Sequence, residues 1–329
     1  MSKTIIITGA TGYIGGHTAL AFKLAGYTVI GIDRKITIPA SVEFLDEFLC
    51  LDYADIVDYC APIREADAII HCAGTSLVAP SLADPGEYYS NNVAKTNKML
   101  GWLFRKGWIG NIVFSSSASV YGNTDNIPIS ESSLYQRLPV SPYGWSKLMT
   151  ERIIADHCQA HGFKAVSLRY FNAAGCDPET RMGCDKDGTH LVTKVVNSVL
   201  SNQIITINGN DYNTRDGTCI RDYVHVMDIA QAHIEAVCLT HGFDSGHHRA
   251  YNIGSGVGFT NQEILDQTQD LAGYKLNWQY GPRRQGDPDE LVADPRRFIQ
   301  DTKWQPTMSN ISDILSTTWN WMKKTYYNN

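Results

Sequence analysis

Thr4-Ile5-Ile6-Ile7-Thr8-Gly9-Ala10-Thr11-Gly12-Tyr13-Ile14-Gly15-Gly16 opens the chain with a short β-branched run, followed by glycines spaced G-x-x-G-x-x-G at Gly9, Gly12 and Gly15. The run reads as a buried strand, and Tyr13 to Leu24 as the helix it feeds, stopped by Gly26 in the C′ position. Glycines in such a turn let the backbone approach a pyrophosphate closely, and the positive end of the helix favours its charge. A glycine triplet alone is weak evidence, so the strand-turn-helix context carries the reading. Asp33 falls eighteen residues after Gly15, at the end of a second apolar run. A carboxylate there accepts from both hydroxyls of a ribose and repels a 2′-phosphate, which points to NAD rather than NADP. Arg34 beside it weakens that preference.

Outward from this turn the pattern repeats. Thr4 to Thr8, Thr28 to Ile32, Ala68 to Cys72, Ile112 to Ser115 and Ala165 to Leu168 each predict a strand. Their near-continuous apolar character suits a parallel sheet covered on both faces. Helical stretches lie between them, including Glu87 to Arg105 with Val93, Thr96, Leu100 and Leu103 at helical spacing. The fold class expected is α/β, a doubly wound Rossmann parallel sheet with a smaller mixed α/β substrate-binding lobe. Residues 1–171 are assigned to the Rossmann domain. Residues 172–329, rich in Gly and Asp clusters, are assigned mainly to the lobe, with segments returning to the first domain.

Composition narrows the function classes. With 329 residues the chain exceeds one small core. Its net charge of -6 argues against nucleic acid as partner, because phosphate binding needs a basic field. No apolar stretch is long enough to span a membrane and no export signal precedes the first strand. The 8 cysteines contain no C-x-x-C and the 10 histidines no metal spacing, so neither a zinc site nor any other metal is expected. Reduced thiols fit a cytoplasmic location.

The chemistry concentrates in Ser141-Pro142-Tyr143-Gly144-Trp145-Ser146-Lys147. Ser141 is placed as N-cap and Pro142 at the first helical position, so Tyr143 and Lys147 share one helix face. Among the 17 tyrosines only Tyr143 has lysine at this offset. A phenol has a reference pKa of about 10, too high for a base at neutral pH. A cationic lysine and a positive nicotinamide ring are expected to lower it. Tyr143 can then take a proton from an alcohol while hydride leaves the same carbon. Ser117, at the end of the strand that runs from Ile112 to Ser115, is placed to donate to the same oxygen.

These residues resemble the extended short-chain dehydrogenase/reductase family, and within it the UDP-galactose (UDP-glucose) 4-epimerases. The similarity runs in order through TGATGYIGGHT (from Thr8), SSSASVYG (from Ser115), SPYGWSKLMTE (from Ser141) and LRYFNAAG (from Leu168). It continues through GNDYNTRDGTCIRDYVHVMD (from Gly209), YNIGSGVG (from Tyr251) and PRRQGDP (from Pro282). The resemblance implies Ser117, Tyr143 and Lys147 as the catalytic trio. It implies that Gly9, Gly12, Tyr13, Ile14, Gly15, Asp33, Asp52, Tyr53, Ala73, Asn92, Ser115 and Tyr170 line NAD, with Asp52 and Tyr53 near the adenine. It implies Asn172, His190, Leu191, Asn208, Arg221, Arg284 and Asp287 on a UDP-sugar, the two arginines as forked contacts to the diphosphate. The implied reaction oxidises C4 to a 4-keto sugar and returns the hydride to the opposite face while UDP stays anchored. A homodimer through a helical bundle is likewise implied.

The chain departs from the family pattern at Ser76, where lysine is common, and at Asn208, where an aromatic residue is common. His190 and Leu191 replace an Asn-Leu pair. Leu291 occupies a position that bears on N-acetylated sugars, which leaves UDP-N-acetylhexosamines and UDP-pentoses open as substrates. Ala118 and Ser119 follow Ser117 without the carboxylate that a dehydratase or decarboxylase places there. A nucleotide-sugar dehydrogenase or reductase that releases its cofactor is the remaining enzyme alternative, and a non-catalytic NAD sensor the alternative of another class.

Overall fold

A computed structural model describes residues 3–58, 63, 65–108, 110–124, 126–283 and 287–327. The strands, in chain order, begin with β1 (Thr4–Thr8), β2 (Thr28–Asp33), β3 (Glu47–Cys50), β4 (Ala68–His71) and β5 (Asn111–Ser117). They continue with β6 (Lys164–Tyr170), β7 (Asn172–Ala174), β8 (Ile205–Asn208), β9 (Ile220–His225) and β10 (His248–Ile253). β11 (Gly258–Thr260), β12 (Trp278–Gly281) and β13 (Glu290–Leu291) close the series. The longer helices are α1 (Tyr13–Leu24), α2 (Lys95–Arg105), α3 (Pro142–His161), α4 (Leu191–Leu200), α5 (Val226–His241), α6 (Asn261–Ala272) and α7 (Ile311–Met322).

The main sheet runs β3-β2-β1-β4-β5-β6-β10, every neighbouring pair parallel. This is the doubly wound parallel order the alternating pattern predicts, with a seventh strand added at one edge. Ile5, Ile6, Ile7, Ile69, Ile70, Val113 and Val166 are fully buried. Period-two side chains on strands covered on both faces produce that continuity. Ile5, Ile7, Val113 and Val166 pack toward α1 and α5, whereas Ile6, Ile69, Ile112 and Ala165 pack with Met99, Leu100 and Ile154 of α2 and α3. Each such side chain contributes roughly 1.5–3 kcal/mol on burial.

Three differences from the sequence expectations and one segment returning to the first sheet, β10, matter for the site. β5 runs two residues past Ser115, to Ser117 at its end. β6 extends past Leu168 through Arg169 and Tyr170, because both polar side chains find buried partners. β10, from the later chain, pairs in register with β6 from His248↔Ala165 to Ile253↔Tyr170. The stretch Glu87 to Arg105 is helical but not uniform: Pro85–Tyr88 passes through a π turn at Tyr89–Ala94 into α2.

The later chain builds a second sheet around β9. β11 pairs antiparallel to it, while β13 and β7 pair parallel. β8 and β12 form a two-stranded parallel ribbon. Among the described residues no helix is long and apolar enough to cross a membrane, and no group of three or more metal-ligating side chains is present.

Candidate active site

The glycine turn sits at the C-terminal end of β1, where the strand order reverses between β1 and β4. Gly9 has φ +69°, and a Cβ there would lie 2.7 Å from the Ala73 nitrogen. A Cβ on Gly15 would lie 2.0 Å from the Gly9 carbonyl oxygen. Gly12 is the N-cap of α1 and supplies no side-chain cap, and the first turn holds no acidic residue. Tyr13, Ile14 and Gly15 therefore present N–H groups without partners inside the helix, at its positive end. Such a cradle fits a dinucleotide pyrophosphate. Asp33, the last residue of β2, accepts from the Thr11 hydroxyl at 2.8 Å, from the Thr11 N–H at 3.2 Å and from the Arg34 N–H at 2.8 Å. Thr11 thus ties the turn to the carboxylate expected on a ribose.

At the end of β4, Gly74 adopts φ +155°. Its missing Cβ would lie 2.9 Å from Asn92 Oδ1 and 3.9 Å from Lys147 Nζ. Asn92, in the π turn, accepts from the Thr75 N–H at 2.7 Å and donates to the Thr75 carbonyl and the Ser146 hydroxyl, both at 2.9 Å. A chain running Gly9–Ala73–Gly74–Asn92–Lys147 therefore puts the glycine turn and the tyrosine-lysine helix on the same edge of the sheet.

Two aromatic residues expected on the cofactor point elsewhere. The Tyr13 hydroxyl donates to the Gly175 carbonyl at 2.5 Å, and its ring meets His17 edge-on. Burial raises this phenol well above its usual range. The Tyr53 side chain is buried, donating to the Asn91 carbonyl and meeting His71 edge-on. The Tyr13 and Tyr53 hydroxyls are thus both engaged by carbonyls of the protein. Asp52, beside Tyr53, pairs with Lys95 of α2.

α3 begins as the sequence predicts. Ser141 caps it, accepting from the Gly144 N–H at 3.1 Å, and Pro142 takes the first position. Tyr143 and Lys147 follow one turn apart. Burial raises the Tyr143 phenol, with Tyr88 nearby adding to the rise and a hydrogen bond from Ser117 opposing it. The Tyr88 and Tyr143 rings meet edge-on at 6.2 Å. Lys147 is buried, and burial lowers its ammonium to about 8. Nζ donates to the Ser115 carbonyl at 2.7 Å and lies 4.8 Å from the centre of the Phe114 ring.

The expected lowering includes the charge of a nicotinamide ring; among the protein's own groups, burial raises the phenol. The ammonium stands 5.8 Å from the Tyr143 ring centre, its hydrogen bond goes to a carbonyl, and desolvation outweighs the Ser117 contact.

In the second sheet, register brings several expected substrate residues together. Asn172 on β7 lies opposite Tyr223 of β9 and donates to the Asp222 carbonyl at 2.9 Å. Arg221 of β9 is paired with Leu291 of β13. Arg221 is buried and donates to Asp287 at 2.6 Å, to the Pro288 carbonyl at 2.9 Å and to the Ile220 carbonyl at 2.7 Å. Tyr212 donates to the other oxygen of Asp287 at 3.2 Å. Asn208 ends β8 just before Gly209, whose missing Cβ would lie 2.5 Å from the Tyr212 ring. His190 is the exposed N-cap of α4, and Leu191 packs with the cluster containing Ala174 and Tyr223. Arg284 lies outside the described residues.

A family model described as the NAD dependent epimerase/dehydratase family matches residues 5–254. The chain belongs to this family. It is 37% identical over 327 residues to a UDP-glucose 4-epimerase of Azospirillum brasilense, covering 97% of this chain and 92% of that one. A solved UDP-glucose 4-epimerase from Brucella ovis in complex with NAD superposes with TM-score 0.90 at 32% identity, over 97% and 98% of the two chains. One from Bifidobacterium longum in complex with NAD+ and UDP gives 0.89 at 30% identity, over 99% of each.

Within this epimerase/dehydratase framework the sequence reading passed over Glu151 with Arg169 and Tyr121, His71, and the His233 partner of the expected Tyr170. Glu151, one turn beyond Lys147, forms a buried ion pair with Arg169 at 2.6 Å and accepts from Ser116 at 2.5 Å. Arg169 also donates to Tyr121, which donates to Asn252 of β10. His71, under the turn, bridges Thr8 at 2.7 Å and Thr96 at 2.9 Å. Tyr170 bonds both Ser115 and His233 of α5. Glu151 alone carried a signal, the helical spacing Tyr143–Lys147–Glu151; His71, Arg169 and His233 lie within or beside apolar runs and announce no partner.

Proposed function

We propose that the chain is a nucleotide-sugar 4-epimerase that interconverts UDP-glucose and UDP-galactose and keeps its NAD throughout. The observation that carries this reading is the placing of Tyr143, Ser117 and Lys147 on the sheet edge where the glycine turn opens. The names of the relatives and solved neighbours support it. Bound there, NAD would supply a reversible hydride acceptor for the sugar carbon. The N–H groups of Tyr13, Ile14 and Gly15 would hold its pyrophosphate and Asp33 its adenosine ribose. Asp52, the Tyr53 main chain, Ala73, Asn92, Ser115 and Tyr170 line the rest of its site.

With the positive charge that a bound nicotinamide would add to that of Lys147, Tyr143 is held as phenolate; its oxygen takes the C4 hydroxyl proton as hydride leaves the same carbon and gives it back when hydride returns. Ser117 donates to the sugar oxygen and keeps it aligned. Lys147 supplies positive charge beside the phenol, and its seat on the Ser115 carbonyl fixes that charge. Asn172, His190, Leu191, Asn208, Arg221, Arg284 and Asp287 hold the UDP-sugar, and anchoring at UDP leaves the hexose free to present either face. Ala118 and Ser119 provide no carboxylate for dehydration. Exposed Phe104 of α2 and Met149 of α3 favour a homodimer built on these two helices, readable from the mass in solution.

The test is epimerisation of UDP-galactose without added reductant. Tyr143→Phe should lower kcat by about 10²- to 10⁴-fold while NAD stays bound. Full activity in that variant removes Tyr143 as the base.

A further inference from the structure

Ser115 and Tyr170 lead away from Lys147 to the opposite face of the sheet, into a buried chain of neutral hydrogen bonds. Its far end is His233 of α5, fully buried. His233 Nδ1 lies 2.9 Å from the Ile229 carbonyl, one turn earlier on the same helix. A carbonyl only accepts, so Nδ1 carries the hydrogen. Burial lowers the imidazole to about 4, which keeps the ring neutral at pH 7 and leaves Nε2 as a bare lone pair.

The Tyr170 hydroxyl stands 2.6 Å from Nε2, so it donates there. Its oxygen is then free to accept, and Ser115 Oγ donates to it at 3.1 Å. The carbonyl of the same Ser115 accepts from Lys147 Nζ at 2.7 Å. One helix carbonyl therefore sets the direction of each hydrogen between α5 and the Ser115 side chain. Two neighbours compete weakly: the Thr18 hydroxyl is 3.5 Å from Nδ1 and the Cys72 sulfur 4.0 Å from Nε2.

We propose that His233 is a positioning residue for the reaction, holding Tyr170 and Ser115 in a single hydrogen-bond order and so fixing the seat of Lys147 and the inner wall of the cofactor site. It touches no reacting atom and acts through Tyr170. Without Nε2, the buried Tyr170 O–H loses its good acceptor and turns to the Ser115 hydroxyl. Ser115 must then give up its bond to Tyr170 and turn its hydrogen toward the Cys72 sulfur, a weaker acceptor. Because Ser115 holds Lys147 through its carbonyl, the disturbance is felt at the Tyr143 helix.

The proposal rests on Tyr143 and Lys147 being the reacting pair, and the test separates the two claims. In the NAD-loaded protein, ¹⁵N spectra should show His233 protonated at Nδ1, bare at Nε2 and not titrating from about pH 6 to 9. Tyr170→Phe should shift the Nε2 resonance. His233→Leu should lower kcat roughly tenfold and loosen NAD retention, and His233→Gln, which restores an acceptor, should recover most of both. In a Tyr170→Phe background, His233→Leu should add no further loss. A hydrogen on Nε2, a Gln variant as slow as the Leu variant, or an undiminished Leu effect in that background overturns the proposal. If His233→Leu does not fold, the spectra and the Tyr170→Phe comparison still decide it. If the wild-type protein does not epimerise, the functional reading fails while the spectra still report the hydrogen-bond order.

Discussion

Ser115 and Ser116 are neighbours on β5, yet their hydroxyls enter opposite networks. Ser116 faces α3 and joins a charged one, in which Glu151 and Arg169 pair while buried and Tyr121 carries the contact to Asn252. Ser115 faces α5 and joins a neutral one, Tyr170 to His233. Both run beneath Tyr143 and Lys147, but they fail differently. A buried ion pair is severely destabilising when one partner is lost, since the other is left as an uncompensated charge. A neutral chain loses one hydrogen bond and an orientation. The first network fixes where the helix sits on the sheet, and the second fixes which way hydrogens point.

The largest effect expected from this contrast is in stability. Glu151→Gln should cost about 3–5 kcal/mol in chemical denaturation, as Arg169 is left without its anion. Removing both charges, Glu151→Leu with Arg169→Met, should cost less than either single change. If the double change costs the sum of the two, the charged network is not acting as a pair.

Acid should separate the two networks next. The His233 imidazole is lowered to about 4 from a usual 6.5, so its share of stability is complete above pH 6.5 and drains as pH falls toward 4. His17 and His248, also lowered to about 4, act in the same window. The Arg169 guanidinium and the Ser116 hydrogen bond hold Glu151 below its usual 4.5, so its share stays intact above pH 4.5 and is lost only below. A plot of Tm against pH should decline from about pH 6.5, with a shallower upper limb in His233→Gln. An upper limb unchanged in that variant would count against the neutral imidazole.

Ser116→Ala and Ser115→Ala should give the smallest and most telling difference. Each removes one hydroxyl, worth about 1 kcal/mol. Ser116→Ala should appear mainly in stability, because Glu151 keeps both bonds from Arg169. Ser115→Ala should appear mainly in kcat. Equal effects on both properties would erase the distinction.

The legible parts of the molecule are those with local rules. β1 and α1 carry the bounds their residues predict, because a β-branched run, a glycine turn and Gly26 are all within one short segment. The Ser141 cap and the Tyr143–Lys147 spacing are equally local. The end of β6 was hidden, since Arg169 reads as a strand terminator until Glu151 is placed against it. β10 was hidden because His248 and Arg249 dilute its apolar run, and its partner β6 lies far back in the chain. The π turn at Asn92 leaves no mark in apolar spacing. The side-chain directions of Tyr13 and Tyr53 depend on carbonyls at Gly175 and Asn91, which no periodicity reveals.

The pairing of Arg221 with Asp287 sets the terms on which an anion arrives. The guanidinium is already neutralised by a carboxylate at 2.6 Å, and the chain as a whole carries -6. On the proposed reading, a nucleotide diphosphate reaching Arg221 competes with Asp287 for a guanidinium already paired, so docking there exchanges one ion pair for another rather than filling a bare cation.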